Sequence, residues 1–167
     1  MKAIFHADKN WGIGKGNDLM FSIPKDMKFF RETTKGKVVV MGLNTLRSFP
    51  NGKPLKNRIN IVLSPDDVEE EVVTVHSLSE LFGEIKKYPA DDVFVIGGAS
   101  VYSALIPYCT EVLVTKVDAD GGAEVFVPNL DEDVNFRLVY ESEREEDNGY
   151  PIRFCTYRNK NVLKPLA

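Results

Sequence analysis

The chain has 167 residues, 43% hydrophobic and 28% charged, which suits one globular domain over residues 1–167 with a core that needs no staples. A formal net charge of -4 offers no basic field to a phosphate backbone, and no apolar run approaches the roughly 18 residues of a membrane span, so neither nucleic acid nor a membrane is an expected partner. Cys109 and Cys155 stand far apart with only His6 and His76 to assist them, which leaves zinc or another metal site and a disulfide framework unsupported.

The first strand-like run covers residues 3–6. Ala3, Ile4 and Phe5 are too short an apolar stretch for a secretory leader, so the cytoplasm is the expected location. Gly12-Ile13-Gly14-Lys15-Gly16 follows with G-x-G-x-G spacing and no helix directly after it. It does not match a dinucleotide fingerprint and reads instead as a mobile loop placed to close over a substrate. Pro24 suits the first turn of a helix over residues 24–33, because its missing N–H has no partner there. At roughly 100° per residue, Ile23, Met27 and Phe30 share one face, Asp26 falls beside Phe30, and Lys25, Lys28 and Glu32 point away. A carboxylate on the edge of an apolar stripe is costly unless a ligand or proton chemistry uses it. Its bland alternative is an acid at the positive end of a helix dipole.

Further strands are predicted at residues 37–41, 58–63, 72–75, 92–96 and 111–117, with helices at 44–49, 77–88 and 99–106 between them. Such alternation predicts an α/β sheet with crossover connections. Residues 136–140 and 152–157 close the chain as antiparallel strands joined through the hairpin-like Asp147-Asn148-Gly149-Tyr150-Pro151.

Two strands run into bare backbone and then a helix. Residues 92–96 lead into Gly97-Gly98 and then Ala99, Ser100, Val101 and Tyr102. Residues 37–41 lead into Gly42, after which Asn44 and Thr45 are placed to cap the next helix and present donors. A third strand ends at Leu63 and Ser64. Ligands of open α/β sheets gather outside the carboxyl ends of strands, so the three junctions suit one extended phosphate-bearing molecule, with a dinucleotide the natural candidate. Each glycine alone is as readily an ordinary turn.

These residues resemble the dihydrofolate reductase family, bacterial chromosomal type, over most of the chain. The matching blocks are Asn10-Trp11-Gly12-Ile13-Gly14, residues 23–30, residues 38–42 with Thr45, Pro54-Leu55-Lys56-Asn57-Arg58, Val95-Ile96-Gly97-Gly98 with Tyr102, and Leu113-Val114-Thr115. The resemblance implies a mixed, mostly parallel eight-stranded sheet with flanking helices. It also implies NADPH-dependent reduction of 7,8-dihydrofolate to tetrahydrofolate for one-carbon metabolism, by a monomer that antifolate inhibitors would bind. Catalysis falls to Asp26, which pairs with the pterin, together with Thr115 and Phe21. Arg58 would grip the ligand's α-carboxylate. Ile4, Phe5, Met27, Phe30, Phe49 and Leu55 would line the substrate, with Ile96 and Tyr102 shared between substrate and cofactor. The cofactor side takes His6, Ile13, Gly14, Gly42, Leu43, Asn44, Thr45, Leu63 and Ser64, then Gly97, Gly98, Ala99, Ser100 and Val101.

Departures from the family accompany the match. Leu43 stands where arginine is usual and Ala99-Ser100 replace a frequently basic stretch, which admits NADH beside NADPH. Phe21 replaces a common tryptophan, and His6 replaces a small apolar residue and reads as a strand histidine satisfied by backbone. Glu124 matches a position that contacts the glycine loop in relatives. Two further readings stay open: a reductase of another pterin or a pyrimidine on this fold, and a non-catalytic nucleotide-binding module.

Overall fold

Strands that are apolar on both faces must be covered on both faces, and that requirement organises the whole molecule. The computed structural model describes residues 1–16, 19–68 and 71–165. In chain order the elements are β1 (Lys2–Ala7), β2 (Gly12–Gly14), α1 (Pro24–Thr34), β3 (Val38–Gly42), α2 (Leu43–Ser48), β4 (Ile59–Leu63), β5 (Val73–Val75) and α3 (Leu78–Ile85). They continue with β6 (Val93–Gly97), α4 (Ala99–Leu105), β7 (Glu111–Val117), β8 (Val125–Phe126), β9 (Phe136–Glu141), β10 (Glu145–Asp147) and β11 (Tyr150–Asn159). Strand order across the main sheet is β10-β11-β7-β1-β6-β3-β4-β5. The run from β7 to β5 is parallel, and β11 joins β7 antiparallel. The predicted eight strand positions are present. A ninth strand, the unpredicted β10, shares the outer edge of the long β11 with β9.

Alternation along the central strands decides which residues go where. Ala3, Phe5 and Ala7 of β1, with Val38 and Val40 of β3, face α3 and α4 and join one large core around Leu81, Val101, Tyr102 and Leu105. On the other face the buried residues divide. One cluster gathers Phe21, Ile23, Val117 and Ile152, and a second gathers Val39, Met41, Leu46 and Val62. Between them lie β1 and β6, whose Ile4 and Phe94 are buried yet belong to neither group. Over that gap runs α1, of which only Thr34 is buried.

Polar contacts hold α1 instead. Lys25 N–H donates to Asp147 at 2.6 Å, Lys25 Nζ to Glu145 at 2.8 Å, and Asn148 Nδ2 to the Ser22 carbonyl at 2.8 Å, pinning the helix start to the β10–β11 hairpin. That hairpin turns on Asn148 (φ 53°) and Gly149 (φ 82°), the left-handed pair a two-residue turn requires.

Three expectations need correction. Gly12 to Gly14 is a short strand paired antiparallel with β8, not an unpaired loop, because Asp8 gathers it: its carboxylate accepts from Gly12 N–H (2.8 Å), Asn10 N–H (2.9 Å) and Gly121 N–H (3.1 Å). The part of that loop at residues 17 and 18 lies outside the described residues. Secondly, β9 does not turn directly into β11, since β10 intervenes. Thirdly, α2 begins at Leu43 with Gly42 as its N-cap and no side-chain cap bond, so Asn44 and Thr45 sit inside the first turn and do not cap it. No helix among the described residues is long and apolar enough to cross a membrane.

Candidate functional site

The gap between the two smaller clusters is floored by β1, β6 and β7. Ile4 and His6 project there from β1, and His6 pairs in register with Thr115, which is buried on β7. Asp26 comes from the first turn of α1, and its Oδ2 lies 2.9 Å from His6 Nδ1. The expectation for His6 is therefore overturned: its ring is satisfied by a carboxylate and not by backbone. The other ring nitrogen, Nε2, is buried with no partner among the described residues. A buried polar atom left unpaired costs about 1–3 kcal/mol, so this cleft is incomplete as a purely structural object. Phe21 closes one wall, its ring 5.9 Å from His6 and 4.8 Å from Tyr150.

Further along α1, Phe30 is half-buried and Met27 is 51% exposed, so the apolar stripe lines the opening instead of filling a core. Ile96, Phe49 and Leu55 pack against the Val39, Met41, Leu46 and Val62 cluster, on the same face. Phe5 does not join them. It points to the opposite face, where its ring meets Tyr102 edge-on at 5.0 Å inside the large core. Tyr102 is equally internal: its hydroxyl donates to the Ile4 carbonyl at 2.7 Å, and burial raises its pKa well above the usual phenol value.

Arg58 stands at the far end of α1. Its Nε donates to Thr34 Oγ1 (2.8 Å), while its terminal nitrogens donate to the carbonyls of Lys56 (2.8 Å) and Arg31 (3.3 Å). Of five guanidinium N–H groups, two stay uncommitted among the described residues. Burial and then the neighbouring Arg31 cation lower its pKa from the guanidinium value, so an arriving anion relieves a local excess of positive charge. Asp26 and Arg58 thus mark two ends of one helix-lined cleft, separated by roughly 12 Å of helix rise.

The three strand tips adjoin in the order β6, β3, β4. Gly42 pairs with Leu63, and Ser64 is buried just beyond it. Thr45 lies against the twin glycines: a Cβ built on Gly97 would meet Thr45 Oγ1 at 3.2 Å and the Tyr102 ring at 3.6 Å. Gly97 also has φ +134°, which L side chains rarely adopt. The junctions therefore form one ledge of bare backbone and small hydroxyls, as a phosphate-bearing chain needs. On this ledge Leu43 is half-buried, Ala99 is half-buried, Val101 is buried, and Asn44 and Ser100 are exposed. Ile13 and Gly14 stand apart in β2, held beside β8; Gly16 N–H donates to Glu124 at 2.8 Å, so the glycine segment and the acidic loop touch as expected.

Two other concentrations of polar groups do no chemistry of this kind. A cavity of about 300 Å³ opens beside β7 and β11, but most of its charges are already paired, as Lys116–Asp131, Arg144–Asp118 and Arg153–Glu141. Burial pushes the Cys109 thiol up to about 12 and the Cys155 thiol up to about 11, which keeps both protonated and unreactive near neutral pH. What sequence reasoning missed is Asp8, whose bond to Asn10 two residues on is an Asx-turn signal, and the Lys25–Asp147 tie, which has no local signal.

A ledge suited to a nucleotide at the carboxyl tips of parallel strands, next to a cleft bearing one half-buried acid, is the arrangement of an α/β protein that brings a dinucleotide and a second ligand together. A family model described as dihydrofolate reductase matches residues 1–159. The chain is 36% identical to dihydrofolate reductase of Bacillus subtilis (strain 168) over 96% of this chain and 95% of the relative, and 36% identical to that of Enterococcus faecium over 93% and 95%. A solved structure of dihydrofolate reductase from Enterococcus faecalis, complexed with NADP(H) and RAB-propyl, superposes with a TM-score of 0.82 at 32% identity, covering 95% of each chain. The chain belongs to the dihydrofolate reductase family.

Proposed function

We propose that this protein reduces 7,8-dihydrofolate to tetrahydrofolate with NADPH, acting as a cytoplasmic monomer of one domain that serves one-carbon metabolism. The observation that carries the reading is α1, which places a half-buried carboxylate at one end of an apolar cleft and a guanidinium with spare donors at the other. Dihydrofolate has the matching form: a flat heterocycle with an amidine edge, an aromatic linker, and an anionic tail. Asp26 holds the amidine edge and fixes the ring's orientation, with Thr115 beside it on the floor. Ile4, Ile96, Met27, Phe30, Phe49 and Leu55 form the apolar walls, and Arg58 takes the tail carboxylate with its two free N–H groups. The ledge of Gly42, Thr45, Ser64, Gly97 and Gly98 fits the cofactor, because a phosphate chain must lie close to backbone there, and a Cβ on Gly42 or Gly97 would crowd Val101 or Thr45 at 3.2 Å. NADPH supplies the hydride when bound; the protein's part is to exclude water and to hold the proton that the pterin nitrogen gains. Antifolate inhibitors with a cationic amidine edge would engage the same carboxylate.

Mixing the purified protein with NADPH and dihydrofolate should consume the nicotinamide absorbance, and a parallel run with NADH reads the cofactor preference. Absence of turnover with both cofactors rejects the proposal. The second reading, a smaller pterin or pyrimidine substrate, needs no partner for Arg58. It gains ground if Arg58→Gln leaves the KM for dihydrofolate unaltered.

A further inference from the structure

His6 enters the cleft as the ring partner of Asp26, and its environment limits what it can be for. The His6 side chain is 5% exposed and is held by the six-residue register of β1 on β7. Among the described residues, the charged groups of the surrounding elements have partners of their own, except Arg31, which lies at the far end of α1 beside Arg58. On α1, Lys25 pairs with Glu145 and Lys28 with Glu32; on α4, the Tyr102 hydroxyl is spent on Ile4. On β7, Lys116 faces Asp131, Trp11 and Tyr157, and the residue beside His6 is the neutral Thr115. Within β1, Lys2 pairs with Glu111, and Asp8 beyond the strand's end is taken up by backbone N–H groups. Among the described residues, His6 is the one ionisable group within hydrogen-bond reach of Asp26.

A carboxylate accepts and does not donate, so the 2.9 Å bond to an ionised Asp26 requires the proton on Nδ1. That leaves Nε2 as either an unmet acceptor in the neutral ring or an unmet donor in the charged one. The ring therefore sits where it can change charge without giving up its bond to Asp26. Resting on the reductase reading above, we propose that His6 is a positioning partner that stores the reaction's proton, so that the His6–Asp26 pair, and not the carboxylate alone, supplies the proton the reduction consumes. The charged pair is imidazolium with carboxylate. Moving the Nδ1 proton to Oδ2 yields a neutral imidazole still protonated on Nε2 and a carboxylic acid, the acid releases that proton toward the pterin nitrogen, and a solvent proton taken up by the carboxylate and passed back to Nδ1 restores the imidazolium; hydride and its electron pair come separately from the nicotinamide. An isolated carboxylic acid is almost wholly ionised above about pH 6, whereas imidazole changes charge between about pH 5 and 8. An imidazole can therefore carry a proton at a pH where a carboxylic acid on its own has already given one up.

Two measurements on the intact protein test this. First, steady-state rates with NADPH and dihydrofolate are followed from acid to alkaline pH for wild type and His6→Asn, whose amide can donate from the position of Nδ1 but stores no proton. The expected result is a fall in rate that begins about one pH unit lower in the variant, with a deficit growing to about tenfold at alkaline pH while the KM for dihydrofolate moves far less. Superimposable pH profiles overturn the proposal. Secondly, nitrogen NMR of the ligand-free protein reads the ring directly, and His76 is the one other histidine to separate from it. At high pH the His6 ring should carry its proton on Nδ1 in wild type and shift toward Nε2 in Asp26→Asn; an Nε2–H ring in wild type overturns the pairing without reference to activity. If wild type fails to oxidise NADPH with dihydrofolate at every pH, the reductase reading falls, and the NMR result still decides whether the pair exists.

Discussion

The two faces of the sheet at β1 are built on opposite terms. Phe5 enters a continuous core closed by Tyr102 and Leu105 at full burial, while its neighbour His6 enters a cleft where the buried residues separate into two clusters and the helix overhead keeps its apolar stripe half open. One face gains from area removed from water, at about 25 cal/mol per Å². The other forgoes much of that gain so that a ligand can claim the surface, and it compensates with directed polar contacts at both ends of α1: Lys25 and Asn148 at the start, and Arg58 on Thr34 at the finish. Stability and binding are thus assigned to alternate residues of the same strand.

The sharpest way to break that contrast is to damage each face in turn. Leu105→Ala empties a fully buried position of the large core and is expected to cost about 2–5 kcal/mol, read from the urea midpoint. A loss below about 1 kcal/mol would mean that this face is not the main source of stability. Asp26→Asn keeps the shape of the cleft and removes its charge. Turnover at neutral pH should fall by about 10²-fold or more, the scale of losing a positioned acid–base group, while the urea midpoint moves far less than in Leu105→Ala. Rates like those of wild type would remove Asp26 from the chemistry.

Most of the scaffold was legible because its strands are long apolar runs and its helices carry a 3.6-residue period; β7 is observed at its predicted bounds. The strands that escaped are β2, β8 and β10, each only two or three residues long. A run of Gly12-Ile13-Gly14 or Glu145-Glu146-Asp147 carries no strand propensity, and each pairs because Asp8 or the Asn148-Gly149 turn brings it to a partner. Alternation along β1 shows that Phe5 and His6 point to opposite faces, but which face is the cleft depends on where α1 crosses, and so the expectation for Phe5 fails. The His6–Asp26 bond joins a strand and a helix 20 residues apart, and no local pattern announces it. Asp26 itself was legible, since a carboxylate beside an apolar stripe needs a reason.

Smaller effects sharpen the account at the cleft's two openings. Leu43 rests against the Val39, Met41, Leu46 and Val62 cluster on the ledge proposed for the cofactor, where it would bring no charge to a phosphate. Leu43→Arg should tighten NADPH over NADH by roughly 1–2 kcal/mol through a charge-assisted contact, read as the ratio of the two dissociation constants. An equal gain for both cofactors would place this residue away from the group that distinguishes them.

Met27 provides the least expected change in stability and the most direct test of why α1 stays open. At 51% exposure its side chain gives up little buried area on truncation, so Met27→Ala should move the unfolding free energy by no more than about 0.5 kcal/mol. If the stripe exists to meet a ligand, the same truncation removes wall area from the bound state, and the KM for dihydrofolate should rise by about three- to tenfold, at about 0.8 kcal/mol for each methylene group that no longer covers the ligand. A fall in stability with KM unchanged would show that Met27 supports the fold on both sides of the strand, and the division of labour between the two faces would no longer hold.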